Sequence, residues 1–120
     1  MPSIFEISAG KALGYTDGAA VTQATNKATG VTLNKPAGEI TTHDASLTGG
    51  AEVSFVVTNS FVAINDVPVV AIQSGASTGT YVASVSAVAN GSFTITLSNV
   101  GSTAGEALVI NFAIIKGSES

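Results

Sequence analysis

The chain of 120 residues has no cysteine, no tryptophan, no arginine and a single histidine. Without thiols there is neither a disulfide framework nor a thiolate metal site, so stability has to come from packing and sheet hydrogen bonds, and no oxidising compartment is implied. Four lysines against eight acids leave a net charge of −4. Phosphate neutralisation rests on clustered arginine and lysine, and the lysines here are scattered, which argues against nucleic acid and against an anionic membrane surface as partners. Long apolar runs are missing as well. The most apolar stretch, 107–115, is interrupted by Asn111 and is far shorter than the roughly 20 residues of a membrane-spanning helix. The N-terminal Met1-Pro2-Ser3-Ile4-Phe5-Glu6-Ile7 lacks the basic and apolar regions of a signal peptide, so the expectation is a soluble protein made in a cytoplasm.

What is present is apolar and small. Hydrophobic residues make up 45% of the chain and charged residues only 10%, with a mean hydropathy of +0.46. A single domain of this length has a high surface-to-volume ratio, so its apolar residues cannot all enter one core. The expectation is a subunit that covers part of its surface by assembly.

Thr, Ser, Val, Ala and Gly dominate, which favours pleated strands and tight turns over helices. The stretch Ser92-Phe93-Thr94-Ile95-Thr96-Leu97-Ser98 alternates hydroxyl and apolar residues with the period of a half-buried strand. A strand over 81–88 precedes it, and Asn90-Gly91 between them is the dipeptide favoured where both turn residues take positive φ. Residues 52–58 repeat the alternation with Val53, Phe55 and Val57 on one face, and 69–73 follow Pro68 at a strand start or edge. Short strands are expected over 31–33 and 39–42. In 107–115, Leu108, Ile110, Phe112 and Ile114 share one face while Val109, Ala113 and Ile115 share the other, the pattern of a strand that is central in a sandwich or covered by another subunit. The expected fold is an all-β, antiparallel β-sandwich of about seven or eight strands, immunoglobulin-like or jelly-roll. It occupies 21–120 and is preceded by an irregular N-terminal arm, 1–20, in which Ile4, Phe5, Ile7 and Tyr15 are scattered without a period.

Residues with reactive chemistry do not converge in sequence. His43-Asp44 is the one His–carboxylate neighbour pair, and no Gly-x-Ser-x-Gly elbow accompanies it, so it reads as a solvated turn and not as part of a triad. Asp17, Glu39, Asp44, Asp66 and Glu106 are dispersed and form no calcium loop. Asp66 with Asn65 reads as a turn cap. Lys27 and Lys35 read as a solvated edge that discourages strand pairing. No catalytic residue, metal ligand or cofactor site is expected, and the chain is not read as an enzyme.

The segment 21–35, Val-Thr-Gln-Ala-Thr-Asn-Lys-Ala-Thr-Gly-Val-Thr-Leu-Asn-Lys, with Gly38-Glu39-Ile40-Thr41, 50–55, Thr58-Asn59-Ser60, Tyr81-Val82 and 110–116, resembles small structural proteins of tailed bacteriophages and prophages. The resemblance covers about 14–116 and implies a virion component, foremost a head decoration (cement) protein that sits as a homotrimer on the capsid exterior and binds the major capsid protein. The alternative is a tail, fibre or head-fibre module for host receptor or glycan attachment. Three-fold association comes from the resemblance alone. The interface residues expected on this reading are Ile4, Phe5, Ile7 and Tyr15 on the arm and Val109, Ala113 and Ile115 on the last strand.

Overall fold

A computed structural model describes residues 14–118, and within them all regular structure is β. Eight strands form two four-stranded sheets: β1 (Ala19–Thr22), β2 (Val31–Thr32), β3 (Ala37–Thr41), β4 (Glu52–Thr58), β5 (Val67–Ser74), β6 (Tyr81–Ala89), β7 (Ser92–Asn99) and β8 (Val109–Ile115). The first sheet has the order β1-β3-β8-β5 and the second β2-β4-β7-β6. Their inner faces meet in a core of Val31, Leu33, Ile40, Phe55, Val57, Phe93, Ile95, Ile110, Phe112 and Ile114. Phe93 of one sheet meets Phe112 of the other with ring centroids 5.5 Å apart and a 56° tilt. Truncation of either ring to Ala would cost about 3–5 kcal/mol in lost burial and residual cavity.

The expected sandwich is therefore present, but it is not wholly antiparallel. The pairs β1–β3 and β2–β4 are parallel. The reason lies in the connections: every one except β6–β7 passes from one sheet to the other. Each crossing reverses the chain, so strands two apart in sequence run in the same direction, and where they lie side by side the pair is parallel. Residues 31–33 and 39–42, expected as neighbouring strands, consequently fall in opposite sheets. β1 also begins at Ala19, two residues inside the segment expected to be irregular.

The β6–β7 hairpin forms as its alternation demands, from Tyr81↔Asn99 to Ala89↔Ser92, with a bulge between Val85 and Ala87. Its turn departs from expectation. Gly91 has φ of 85° whereas no non-glycine residue among those described has positive φ, so Asn90 stays in the ordinary region and its carboxamide is used elsewhere, as described below. The four sheet edges are blunted without charge: β1 and β2 are four and two residues long, while β5 and β6 carry register irregularities. Short or bulged edges resist pairing with another chain.

Candidate interaction surface

The two outer faces of the sandwich differ in chemistry. On the second sheet, outward positions of β4, β6 and β7 are mainly Ser and Thr, and Ser54, Thr96 and Ser86 form a hydroxyl chain across the three strands with two contacts of 2.8 Å. The first sheet turns outward Val67, Val69 and Ala71 on β5 against Ile115, Ala113 and Asn111 on β8, and Ala37 and Glu39 on β3. Val67, Val69 and Ile115 are 52%, 43% and 51% exposed. This is an apolar face in water, and it lies on the strand whose two-sided pattern anticipated it.

Val109, Ala113 and Ile115 all project from that face, Val109 and Ala113 half-buried and Ile115 exposed. Val109 stands six residues from Ile115, about 20 Å along the strand. Tyr15 is half-exposed, and its hydroxyl donates to the carbonyl of Ile114, which fixes the chain entering β1 against the end of β8. Ile4, Phe5 and Ile7 lie outside the described residues. A shallow groove between Tyr15–Ala19 and the β3–β8 edge is lined by Asp17, Gly38, Glu39 and Asn111.

Sequence reasoning missed a second apolar feature, at the end of the sandwich where β4 stops and β5 starts. Phe61 and Ile64 point into solvent there, 46% and 59% exposed, while Val62 between them is buried. The loop 59–66 is held from below. Asn59, fully buried, donates from Nδ2 to Leu33 O and Lys35 O at 2.8 and 2.7 Å, and its Oδ1 accepts the Phe61 amide at 2.7 Å. Asn90 Oδ1 accepts from Ile64 N at 2.9 Å. Asp66 caps the turn as expected, its Oδ2 accepting from Ala63 N at 2.8 Å, and it also accepts from Gly117 N at 2.9 Å and pairs with Lys116. The hydrogen bonds from Lys116 and from the two amides hold the Asp66 carboxyl down at about 2.

The opposite end is built mainly from polar contacts, although Val100 there is 62% exposed. Lys27, expected on a solvated edge, is buried instead, and its Nζ donates to Ala45 O at 2.8 Å, Glu106 O at 2.7 Å and His43 O. Burial pushes its pKa below the ordinary value, with Asp44 and Glu106 opposing. Gln23 completes the arrangement, donating to Lys27 O and Thr29 O and accepting from His43 N. Lys35, which lies at the Asn59 end, does stay exposed, 3.2 Å from Asp17. The Glu106 carboxylate accepts from the Ser77, Thr78 and Gly79 amides and from Tyr81 Oη, and the Thr78 amide leads in holding it at about 2. Tyr81 is correspondingly raised to about 12, by burial first and by Glu106 second.

None of this is catalytic geometry. His43 Nδ1 accepts the Ala45 amide at 3.0 Å, and the same nitrogen is the one 3.5 Å from Asp44, so the pair orients no nucleophile. Among the described residues no three of His, Asp and Glu converge to hold a metal ion, and no helix is long and apolar enough to cross a membrane. Compared with protein-family models, with curated proteins and with solved structures, the chain matches none.

Proposed function

We propose that this chain is a non-enzymatic virion protein that decorates the exterior of an assembled phage head, self-associating as a homotrimer and stabilising contacts between subunits of the major capsid protein. The observation that carries the reading is a difference between the outer faces: the first sheet's is apolar around Val67, Val69 and Ile115, while the second's is mainly Ser and Thr with Val56 and Val82 as exposed exceptions, on a domain with blunted edges and little charge. Such a molecule suits a place between a protein surface and water. Binding only to the assembled lattice stabilises that lattice by mass action, and closed cyclic symmetry is the usual way to bury a repeated apolar patch. Among the described residues Lys27 is buried and Lys35 and Lys116 are ion-paired, which supports a reading without nucleic acid or membrane partners. A glycan-binding fibre module draws less support, because sugar stacking needs aromatic platforms and among the described rings only Tyr15 and Phe61 are exposed, Tyr81 being half-buried with its hydroxyl committed to Glu106.

Electron microscopy of intact virions with an antibody to this chain tests the proposal. Label distributed over the head surface is expected. Label confined to the tail or fibres, or absent from virions, overturns it.

A further inference from the structure

The loop between β4 and β5 combines two properties that seldom coincide in a surface turn. Its tip carries two large apolar side chains in solvent, Phe61 and Ile64. Its backbone is already hydrogen-bonded: the amides of Ser60, Phe61, Val62, Ala63 and Ile64 go to Asn34 Oδ1, Asn59 Oδ1, Asn59 O, Asp66 Oδ2 and Asn90 Oδ1 respectively, at 2.7–3.5 Å. Four of the five acceptors are side-chain oxygens, two from the ends of the loop itself, Asn59 and Asp66, and two from elsewhere in the chain, Asn34 and Asn90. An ordinary loop leaves its amides to water and resists burial, since each unpaired group costs desolvation. This one can be dehydrated without stranding an amide over those five positions. Its conformation is fixed beforehand, so little entropy is lost when it is immobilised.

We propose that the 60–64 loop is a preformed knob whose Phe61 and Ile64 enter an apolar cleft on the outer surface of the assembled capsid protein. The identity of the partner rests on the decoration reading above; the chemistry of the partner comes from the loop. Saturated amides exclude an extended peptide or a phosphate group, both of which are recognised through free N–H donors. The charges beside the knob cancel, Asp66 against Lys116 and Asp17 against Lys35, so neither a polyanion nor an acidic lipid surface is drawn to it. Two side chains are also too little for a bilayer, where even a single myristoyl chain gives marginal binding. What remains is a dry, uncharged cleft in a folded protein, filled by rigid apolar anchors in the manner of an interface hot spot.

The experiment uses the full chain and purified phage heads assembled without it, with bound and free protein separated by pelleting. Wild type is expected to bind with an affinity that changes less than twofold between low and moderate salt, as uncharged contacts do. Phe61→Ser combined with Ile64→Ser is expected to weaken binding about 30-fold, which is a hot-spot loss of about 2 kcal/mol at 1.4 kcal/mol per decade. Val82→Ser, equally exposed but on the hydroxyl-bearing sheet, is expected to bind as wild type. Since side chains elsewhere hold the loop, the double variant should keep its thermal transition; Asn90→Ala supplies a second test, freeing the Ile64 amide with both anchors intact and weakening binding several-fold. Wild type that fails to bind heads overturns both the decoration reading and the knob. Wild type that binds, with the double variant binding equally well, overturns the knob alone. Phe61-dependent binding to phosphatidylcholine vesicles would assign the loop to a lipid and overturn the protein cleft.

Discussion

Asn59 and Asn99 solve the same problem at opposite ends of the sandwich. Asn59 follows the last residue of β4, Asn99 is the last residue of β7, and both are fully buried. Each donates twice from Nδ2 to loop carbonyls, Asn59 to Leu33 and Lys35, Asn99 to Leu47 and Ser102. Each accepts at Oδ1 from the amide two residues on, Phe61 or Gly101. The ends differ in what these supports hold up. At the Asn99 end the scaffold continues into Lys27, Gln23 and Glu106, and the loops are bound to one another. At the Asn59 end it carries Phe61 and Ile64 in solvent. The Asn99 end uses its polar network to tie loops together, with Val100 exposed beside it, and the Asn59 end uses its network to fix the backbone under Phe61 and Ile64.

The largest expected effect breaks the closed end. Lys27→Met removes an ammonium that three carbonyls share and leaves those oxygens facing a thioether, so a loss of about 3 kcal/mol is expected in urea unfolding. Lys27→Arg should recover less than half, because a planar guanidinium cannot present three N–H groups from one atom. A loss under about 1 kcal/mol for Met would mean that water replaces the ammonium there.

Next come the two asparagines themselves. Ala at either position leaves two carbonyls and at least one amide without partners, and about 2 kcal/mol is expected for each. The comparison is sharpened by hydrogen exchange: Asn59→Ala should release the Phe61 amide locally, whereas Asn99→Ala should release Gly101 and Thr80, whose amides share Oδ1 at 3.0 and 3.3 Å. Equal loss of protection at both ends in either variant would show that the ends are one cooperative unit and not two.

Much of this was legible in the sequence, and the residues show where legibility stopped. The alternation in 52–58, 81–89 and 92–99 fixes which side chains face inward, because the period of a strand leaves no freedom once one face is apolar. The apolar outer face of β8 was readable for the same reason. Parallel pairing was not, since it depends on which sheet each connection enters. Asn59 and Asn99 did carry a signal that went unread: they continue the inward phase of Phe55 and Val57, and of Phe93, Ile95 and Leu97, and a polar residue in core register has to find its partners inside. Lys27 carried no such signal. Its acceptors come from residues 16 to 79 positions away, so only the fold brings them together. Phe61 and Ile64 sit in a short apolar run, Phe61-Val62-Ala63-Ile64, with no periodicity, where exposure cannot be inferred from spacing.

The acid limb of stability compares the ends again, since each contains one depressed carboxylate. Asp66 and Glu106 both have folded values of about 2, below their ordinary 3.8 and 4.5. A carboxylate held below its unfolded value leaves the unfolded chain binding more protons, so stability rises with pH across that interval. The contribution is complete above the ordinary values and is lost as pH falls through about 2. The urea midpoint should therefore be flat above about pH 5 and decline below it. Glu106→Gln should make the decline shallower, leaving the Asp66 share. A midpoint that stays level down to pH 2.5 would mean that neither carboxylate is held as the hydrogen bonds indicate.

The smallest expected effect is that of His43→Ala, and it separates backbone from side chain at the closed end. Lys27 uses the His43 carbonyl and Gln23 the His43 amide, and both survive the substitution. The imidazole itself accepts the Ala45 amide and leans toward Asp44, which is largely exposed. A lost hydrogen bond near the surface is replaced by water, so about 0.5 kcal/mol or less is expected, with association and head binding unchanged. A loss comparable with that of Lys27→Met would make the ring part of the closure. A hydrolytic activity that disappears with the ring would contradict the non-enzymatic reading directly, because His43 is the one imidazole in the chain and its Nδ1 is already occupied by a backbone donor.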